Sequence, residues 1–144
     1  MTETEVAAFL AEPHHLAMCT FNADGSIHAV PMWYGFEGDS VAVHTKARSQ
    51  KIRNLRRDAR MTCLVEAGKA YGELRGVELV GRGEIVEDEA RLWAVGESVY
   101  RRYVGPYDES RREALASVLS KRVAVVLRVE RVVSWDHRKL ERGR

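Results

Sequence analysis

Short apolar segments joined by tight glycine-containing turns limit the possible folds of this chain more than any other feature. Residues 16–21 lead into a turn at residues 22–25, and the apolar segment 27–36 follows. A second turn at residues 37–39, which also contains glycine, precedes a third apolar segment at residues 40–45. This spacing predicts an antiparallel three-stranded meander.

Pro31 lies inside the second of these segments. Proline has no backbone N–H to donate to a neighbouring strand, so a strand that contains it lies at the edge of a sheet or is bulged there. We therefore expect the strand of residues 27–36 to be an edge strand or to carry a bulge.

The remainder of the chain alternates apolar strands with amphipathic helices. Strands are predicted at residues 61–67, 73–86 and 122–135, and helices at residues 2–12, 49–57, 88–102 and 109–119. The strand of residues 73–86 contains three glycines and is expected to bend or bulge. Because this order lacks the regular βαβ alternation of a parallel sheet, we predict one α+β domain over residues 1–144. It is mainly β with flanking helices, built as a small closed or split antiparallel β-barrel.

A dense positive charge follows the third predicted strand. Between residues 46 and 60 there are seven basic residues and one acid, whereas the whole chain has a net charge of +2. This segment begins a predicted helix with Ser49 as N-cap, and a helix N-terminus carries free N–H groups and a partial positive charge. The Ser49 hydroxyl and the Lys51 ammonium can therefore converge on an anion, with phosphate the first candidate. The alternative is a charged face that contacts only solvent.

Several other functions find no support in the sequence. Cys19 and Cys63 stand far apart and form no CxxC pair, the five histidines show no metal-ligand spacing, and no nucleophile motif is present. The nearly balanced charge does not indicate a nucleic-acid partner, and no apolar run approaches the roughly 18 residues that cross a bilayer. The acidic N-terminus does not resemble a signal peptide, so we expect a cytoplasmic location without nucleic-acid or membrane partners.

An anion-binding helix near an aromatic strand instead suits a phosphate-bearing aromatic cofactor, which performs the chemistry while the protein binds and orients it.

Four stretches of the chain resemble a known family. They are DGSIHAVPMWY at residues 24–34, HTKARSQKIRNLRRD at residues 44–58, GVELVGRGEIVED at residues 76–88 and SWDHRKL at residues 134–140. Together they are similar to the pyridoxamine 5'-phosphate oxidase-like, FMN-binding split barrels, most of all to the flavin/deazaflavin oxidoreductase branch that mostly uses coenzyme F420. SWDHRKL does not reproduce the C-terminal substrate-binding motif of the oxidases proper, which argues against vitamin B6 oxidation.

The resemblance implies a homodimer with two cofactor sites at its interface. In this family the strand with Pro31, Met32 and Trp33 lies along the cofactor ring, and Thr45 with the following turn approaches the ribityl chain and the phosphate. The resemblance further implies that Ser49, Lys51 and Asn54 hold the phosphate, while Trp135 and Arg138 are contributed by the partner subunit.

From the resemblance we expect a cofactor-dependent oxidoreductase. It would bind F420, or else FMN, and transfer hydride to or from a small unsaturated or planar substrate. The alternative is a non-catalytic protein that binds or stores flavin, F420 or haem. No catalytic side chain and no metal ligand is predicted.

Overall fold

In the computed structural model, which describes residues 1–140, seven strands form one sheet and four helices pack around it. The strands are β1 (Leu16–Phe21), β2 (Ile27–Met32), β3 (Gly35–Glu37), β4 (Ser40–Lys46), β5 (Arg60–Ala67), β6 (Arg75–Val86) and β7 (Arg122–Asp136). The helices are α1 (Glu3–Ala11), α2 (Gln50–Arg57), α3 (Glu89–Tyr103) and α4 (Arg112–Leu119).

The sheet is curled so that its two edges come together. Its strand order is β2-β1-β5-β6-β7-β4-β3, and all neighbouring strands are antiparallel. Only Trp33 and Tyr34 separate the end of β2 at one edge from the start of β3 at the other, and such a link spans at most about 11 Å. The predicted antiparallel split barrel with flanking helices is therefore confirmed.

The predicted meander is wrong in one respect, because residues 27–36 form two strands instead of one. β2 pairs with β1, whereas β3 pairs with β4 at the opposite edge of the sheet. The division occurs where Tyr34 turns its side chain into the barrel and becomes fully buried, while Trp33 remains 47% exposed. Pro31 lies in the edge strand β2, as its missing N–H requires.

Two hydrophobic cores lie on the two faces of the sheet. The barrel interior is filled by residues such as Leu16 and Met18, and a second core packs α3 and α4 against the outer face through Val95 and Leu119. The first half of β7 is buried without interruption from Val123 to Leu127 because it lies between both cores. Within residues 1–140, no helix is long and apolar enough to span a membrane.

Helix α2 packs its narrow apolar stripe into the barrel. Ile52 and Leu55 are buried, while Arg53, Arg56 and Arg57 are exposed, as the sequence predicts. This packing fixes the first turn of α2 beside the ends of β4 and β7.

β6 and β7 form a long antiparallel pair that continues beyond the other strands. β4 pairs with β7 only as far as Val126, so the distal half of β7 lacks a partner on that edge among the described residues. All six residues from 128 to 133 are exposed, with Val129, Val132 and Val133 exposed by 44%, 47% and 42%. Apolar side chains therefore face outward on both sides of this arm.

Candidate cofactor site

A cavity of about 540 Å³ opens beside the link between β2 and β3. Pro31, Met32 and Trp33, the residues predicted to lie along the cofactor ring, line it together. α3 and α4 add an apolar wall, and β4 and β7 add two basic side chains. The remaining lining residues are His15, His44, Gly96, Val99, Tyr100, Val104, Leu115, Val118 and Arg122. This volume lies within the range of pockets for small organic ligands.

Trp33 gives the cavity a flat aromatic surface. Its indole stacks on the ring of Tyr103 with the ring centroids 4.8 Å apart and the planes inclined by only 2°. Tyr103 is the last residue of α3, so the helix that walls the cavity also supports Trp33.

The basic end of the cavity is formed by His44 of β4 and Arg122 of β7. Arg122 Nη1 lies 3.3 Å from His44 Nδ1 and donates to the carbonyl oxygen of His44 at 3.4 Å. Burial, with a smaller contribution from the charge of Arg122, lowers the pKa of His44 to about 4. The imidazole is therefore neutral near pH 7, and Arg122 carries the positive charge.

Lys51 and Ser49 extend this basic end into the first turn of α2. Burial lowers the pKa of Lys51, and the nearby charge of Arg122 lowers it further, so two cations share a partly buried region. Ser49 occupies the N-cap position of α2, but its hydroxyl makes no capping hydrogen bond. Ser49 Oγ and Arg122 Nε are both buried without a hydrogen-bond partner within residues 1–140. Buried polar atoms are normally satisfied, so these two unpartnered donors suit an anionic acceptor such as a phosphate.

Three further basic residues lie in the two turns beside this cluster. The backbone N–H of Ala47 donates to the Lys121 carbonyl, which holds the turn after β4 against the turn before β7. These turns carry Lys46, Arg48 and Lys121. Among the described residues, these three side chains have no carboxylate within 4.0 Å, and the same holds for Lys51 and Arg122. The local positive charge is therefore uncompensated.

Asn54 and Thr45 point away from this cluster. Asn54 is fully buried, and its amide already makes four hydrogen bonds within the protein. Thr45 is buried on the same face of β4 as Val43, and side chains alternate along a strand, so it faces away from His44. We therefore remove Asn54 from the predicted phosphate-binding set, and only the backbone near Thr45 adjoins the cluster.

Trp135 and Arg138 lie at the other end of the long strand β7. Trp135 packs over Gly76, where an added Cβ would come within 2.1 Å of the indole. Arg138 donates to both carboxylate oxygens of Asp136 at 2.9 Å and 2.7 Å, which lowers the pKa of Asp136 to about 2. One chain does not bring either side chain to the cavity, so their predicted contribution requires a second copy.

His44, Arg122 and Tyr103 were not predicted from the sequence as site residues. His44 and Arg122 lie in segments whose own pattern indicates only a strand, and Tyr103 directly follows the predicted helix of residues 88–102. Their shared location depends on β4 pairing with β7 and on α3 folding back toward Trp33. In the described residues, no group of three or more His, Cys, Asp or Glu side chains is arranged to hold a metal ion.

The fold and the sequence together define the family. The model of the pyridoxamine 5'-phosphate oxidase family matches residues 2–136, and the chain belongs to this family. A search of curated proteins found no match.

Solved structures extend this finding. A conserved hypothetical protein from Mycobacterium tuberculosis, Rv2991, is 42% identical, with a TM-score of 0.95 over 98% of this chain and 88% of that one. An F420 reductase is 23% identical, with a TM-score of 0.65 over 88% of this chain and 94% of that one. HutZ, the haem storage protein of Vibrio cholerae, is 18% identical, with a TM-score of 0.69 over 91% of this chain and 92% of that one. The last two likenesses concern the fold alone.

Proposed function

We propose that this protein is an oxidoreductase that binds F420, with FMN as the alternative cofactor, in the cavity beside Trp33. The observation that carries the proposal is the partly buried cation pair of Lys51 and Arg122 with the unpartnered Ser49 hydroxyl, at the end of an aromatic cavity. Such a pair, without a nearby carboxylate, suits a phosphate group.

In this proposal, two groups of residues bind two different parts of the cofactor. Ser49, Lys51 and Arg122 hold the phosphate, and Pro31, Met32 and Trp33 shape the space for the ring. When bound, either cofactor supplies hydride transfer, here to or from a small planar unsaturated substrate. The apolar walls of α3 and α4 exclude water from that substrate.

The additional cations favour F420 over FMN. FMN carries one phosphate, whereas F420 also has an acidic tail that Lys46, Arg48 and Lys121 can meet. These three side chains have no carboxylate partner in the described residues. A more negative ligand therefore gains more binding free energy from them. We expect the triple alanine variant at these positions to lose affinity for F420 while its affinity for FMN changes much less.

A second copy of the chain completes the proposed site. Val129 and Val132 of the β7 arm line a surface cavity of about 990 Å³ that also includes Val6 and Leu10 of α1. Exposed apolar patches of this kind commonly mark protein interfaces. A partner seated there would cover the valines, and its own Trp135 and Arg138 could then reach the cofactor.

Titration of the purified protein with F420 and with FMN tests the proposal. We expect binding in the micromolar range or tighter, and Lys51→Ala should weaken it by about ten- to a hundredfold, because a charge-assisted bond contributes about 1.5–3 kcal/mol. Arg53→Ala is the matched control. This exposed side chain on the same helix donates to Gln50, and its loss should change affinity by less than about threefold. If neither cofactor binds, the proposed function is wrong.

The second candidate function is haem binding or storage in the same cavity. It is favoured by two histidines in the lining, His15 and His44, of which His44 is neutral and thus able to ligate iron. The absorbance spectrum after addition of haemin separates the candidates. A Soret band that His15→Ala or His44→Ala shifts, with no hydride transfer from reduced F420 or FMN, would favour storage.

A further inference from the structure

The link between the two sheet edges places two aromatic side chains on opposite sides. Tyr34 is fully buried in the barrel, and its hydroxyl donates to the carbonyl of Leu10 at 2.7 Å. Trp33 is half exposed and lines the cavity. A half-exposed indole on a two-residue link has several rotamers available unless a neighbour restricts it.

Tyr103 supplies that restriction from the end of α3. Its ring is nearly parallel to the indole of Trp33, at a centroid distance of 4.8 Å. The Tyr103 hydroxyl donates to the carbonyl of His14 and accepts the Tyr34 N–H at 3.4 Å. The ring that supports Trp33 is thus fixed at its far end to two separate backbone segments.

Arg102 holds the same link from the preceding position of α3. Its Nε donates to the Tyr34 carbonyl at 2.8 Å, and its two terminal nitrogens donate to the carbonyls of Leu10, Ala11 and Glu12 at the end of α1. The guanidinium also lies 4.5 Å from the centroid of the Tyr34 ring. Both backbone polar groups of Tyr34 therefore contact consecutive residues of α3.

We propose that Tyr103 is a positioning residue that sets the plane of Trp33 and thereby aligns the cofactor ring in the cavity. The inference rests on the proposed function, because it needs a ring that lies against Trp33. Tyr103 itself does not line the cavity, so it acts through the stacked indole. Without the stack, Trp33 has to be ordered when the ring binds, and that ordering reduces affinity.

The first measurement follows Trp33 directly. Protein labelled with 5-fluorotryptophan has three ¹⁹F resonances, from Trp33, Trp93 and Trp135, which single Trp→Phe variants assign. In Tyr103→Leu we expect the Trp33 resonance to narrow and to move toward the position of free tryptophan, while the other two stay in place and report an intact fold. Tyr103→Phe loses the two hydroxyl hydrogen bonds but keeps the ring against Tyr34 and Arg102, so the stack is retained and its Trp33 resonance should remain near that of the wild type.

The second measurement titrates the same proteins with F420 and FMN. The loss of one aromatic stack should weaken binding by about three- to tenfold in Tyr103→Leu. Tyr103→Phe should bind within about twofold of the wild type, because the stack remains. If Tyr103→Leu moves all three resonances, Tyr103→Met replaces it, since Met fills similar space without a flat face.

An unchanged Trp33 resonance in Tyr103→Leu overturns the inference, as does a moved resonance with unchanged cofactor affinity. Failure of the wild type to bind either cofactor refutes the proposed function instead, and removes the positioning role with it. In that case the ¹⁹F shift still reports whether the stack exists, so the two failures remain distinguishable.

Discussion

Asn54 uses every hydrogen-bonding group of its side chain inside the protein. Nδ2 donates to Thr20 Oγ1 at 3.1 Å and to Asn22 Oδ1 at 3.0 Å. Oδ1 accepts from Gln50 Nε2 at 2.8 Å and from Arg57 Nη2 at 3.2 Å. The residue therefore joins α2 to β1 and to the turn that follows it, and no group is left for a ligand.

Asn54→Ala should destabilise the protein without altering the phosphate-binding side chains. We expect the free energy of unfolding in urea to fall by about 2–3 kcal/mol, because buried partners such as Thr20 Oγ1 lose their hydrogen bonds. Gln50→Ala is the control, since it removes one partly buried bond and should cost less than about 1 kcal/mol. Unchanged stability together with lost cofactor binding would return Asn54 to the phosphate site.

His44 links the stability of the protein to pH. Its pKa is about 4 in the folded protein, against an ordinary value of 6.5, because the ring is buried beside Arg122. Between these two values the unfolded chain binds a proton at His44 that the folded protein does not. The neutral imidazole thus contributes its full stability above about pH 6.5, and this contribution declines as the pH falls toward 4.

His44→Gln should remove this dependence, because glutamine does not titrate and can still accept from Arg122. Urea unfolding at pH 7 and at pH 5 measures how much stability each protein loses when the pH is lowered. The loss of stability between the two values should be smaller in the variant by about 1–2 kcal/mol, according to 1.36 kcal/mol per pKa unit. Equal losses in both proteins would show that the folded protein does not lower the pKa of His44.

At the scale of elements, Gly81 allows β6 and β7 to form one long pair. The register between these strands shifts between Val80 and Gly81, because Val80 pairs with Arg131 and Gly81 with Val129. The extra residue of this bulge is therefore Glu130 of β7, opposite Gly81, and not one of the three glycines of β6. A Cβ at Gly81 would lie 2.0 Å from the carbonyl oxygen of Arg128, which is backbone and cannot yield easily.

Gly81→Ala should therefore lower the free energy of unfolding by about 2–3 kcal/mol. The matched control is Gly83→Ala, two residues along the same strand. Its Cβ would meet methyl groups of Leu55 at 3.0 Å, and a flexible side chain can move, so we expect a loss below about 1 kcal/mol. Equal losses in a urea titration of the two variants would contradict this account of the bulge.

Some of the helices and strands were predictable from the sequence, and others were not. The helix predicted at residues 2–12 is present, and Thr2 and Glu5 form a capping box at its start with both reciprocal hydrogen bonds. The strand of residues 27–36 was expected to be continuous, because its composition is apolar throughout. It divides at Trp33 and Tyr34 because Arg102 and Tyr103 of α3 hydrogen-bond the Tyr34 backbone, while Leu10 of α1 accepts from the Tyr34 hydroxyl. A local pattern does not contain these distant contacts.

At the scale of the whole molecule, the β7 arm should form the interface between two copies. Val132→Arg places a charge on the exposed apolar patch and should convert a dimer into a monomer of 16.3 kDa in light scattering after size exclusion. It should also weaken F420 and FMN binding, because the partner residues leave the site. Ile27→Arg, at an exposed position on β2, is the control and should remain a dimer. A wild-type monomer at micromolar concentration would contradict the proposed assembly.

The sequence by itself determined the strands with their turns, apart from the division of residues 27–36, together with the α+β class and the basic segment after β4. These features depend on residue periodicity, turn chemistry and local charge, which act between neighbours along the chain. Only the tertiary structure decided that β4 lies against β7, which brings His44 and Arg122 beside Lys51. It likewise decided that Asn54 is saturated and that Tyr103 supports Trp33. Those outcomes depend on strand pairing and packing between residues far apart in the sequence, which form only when the barrel closes.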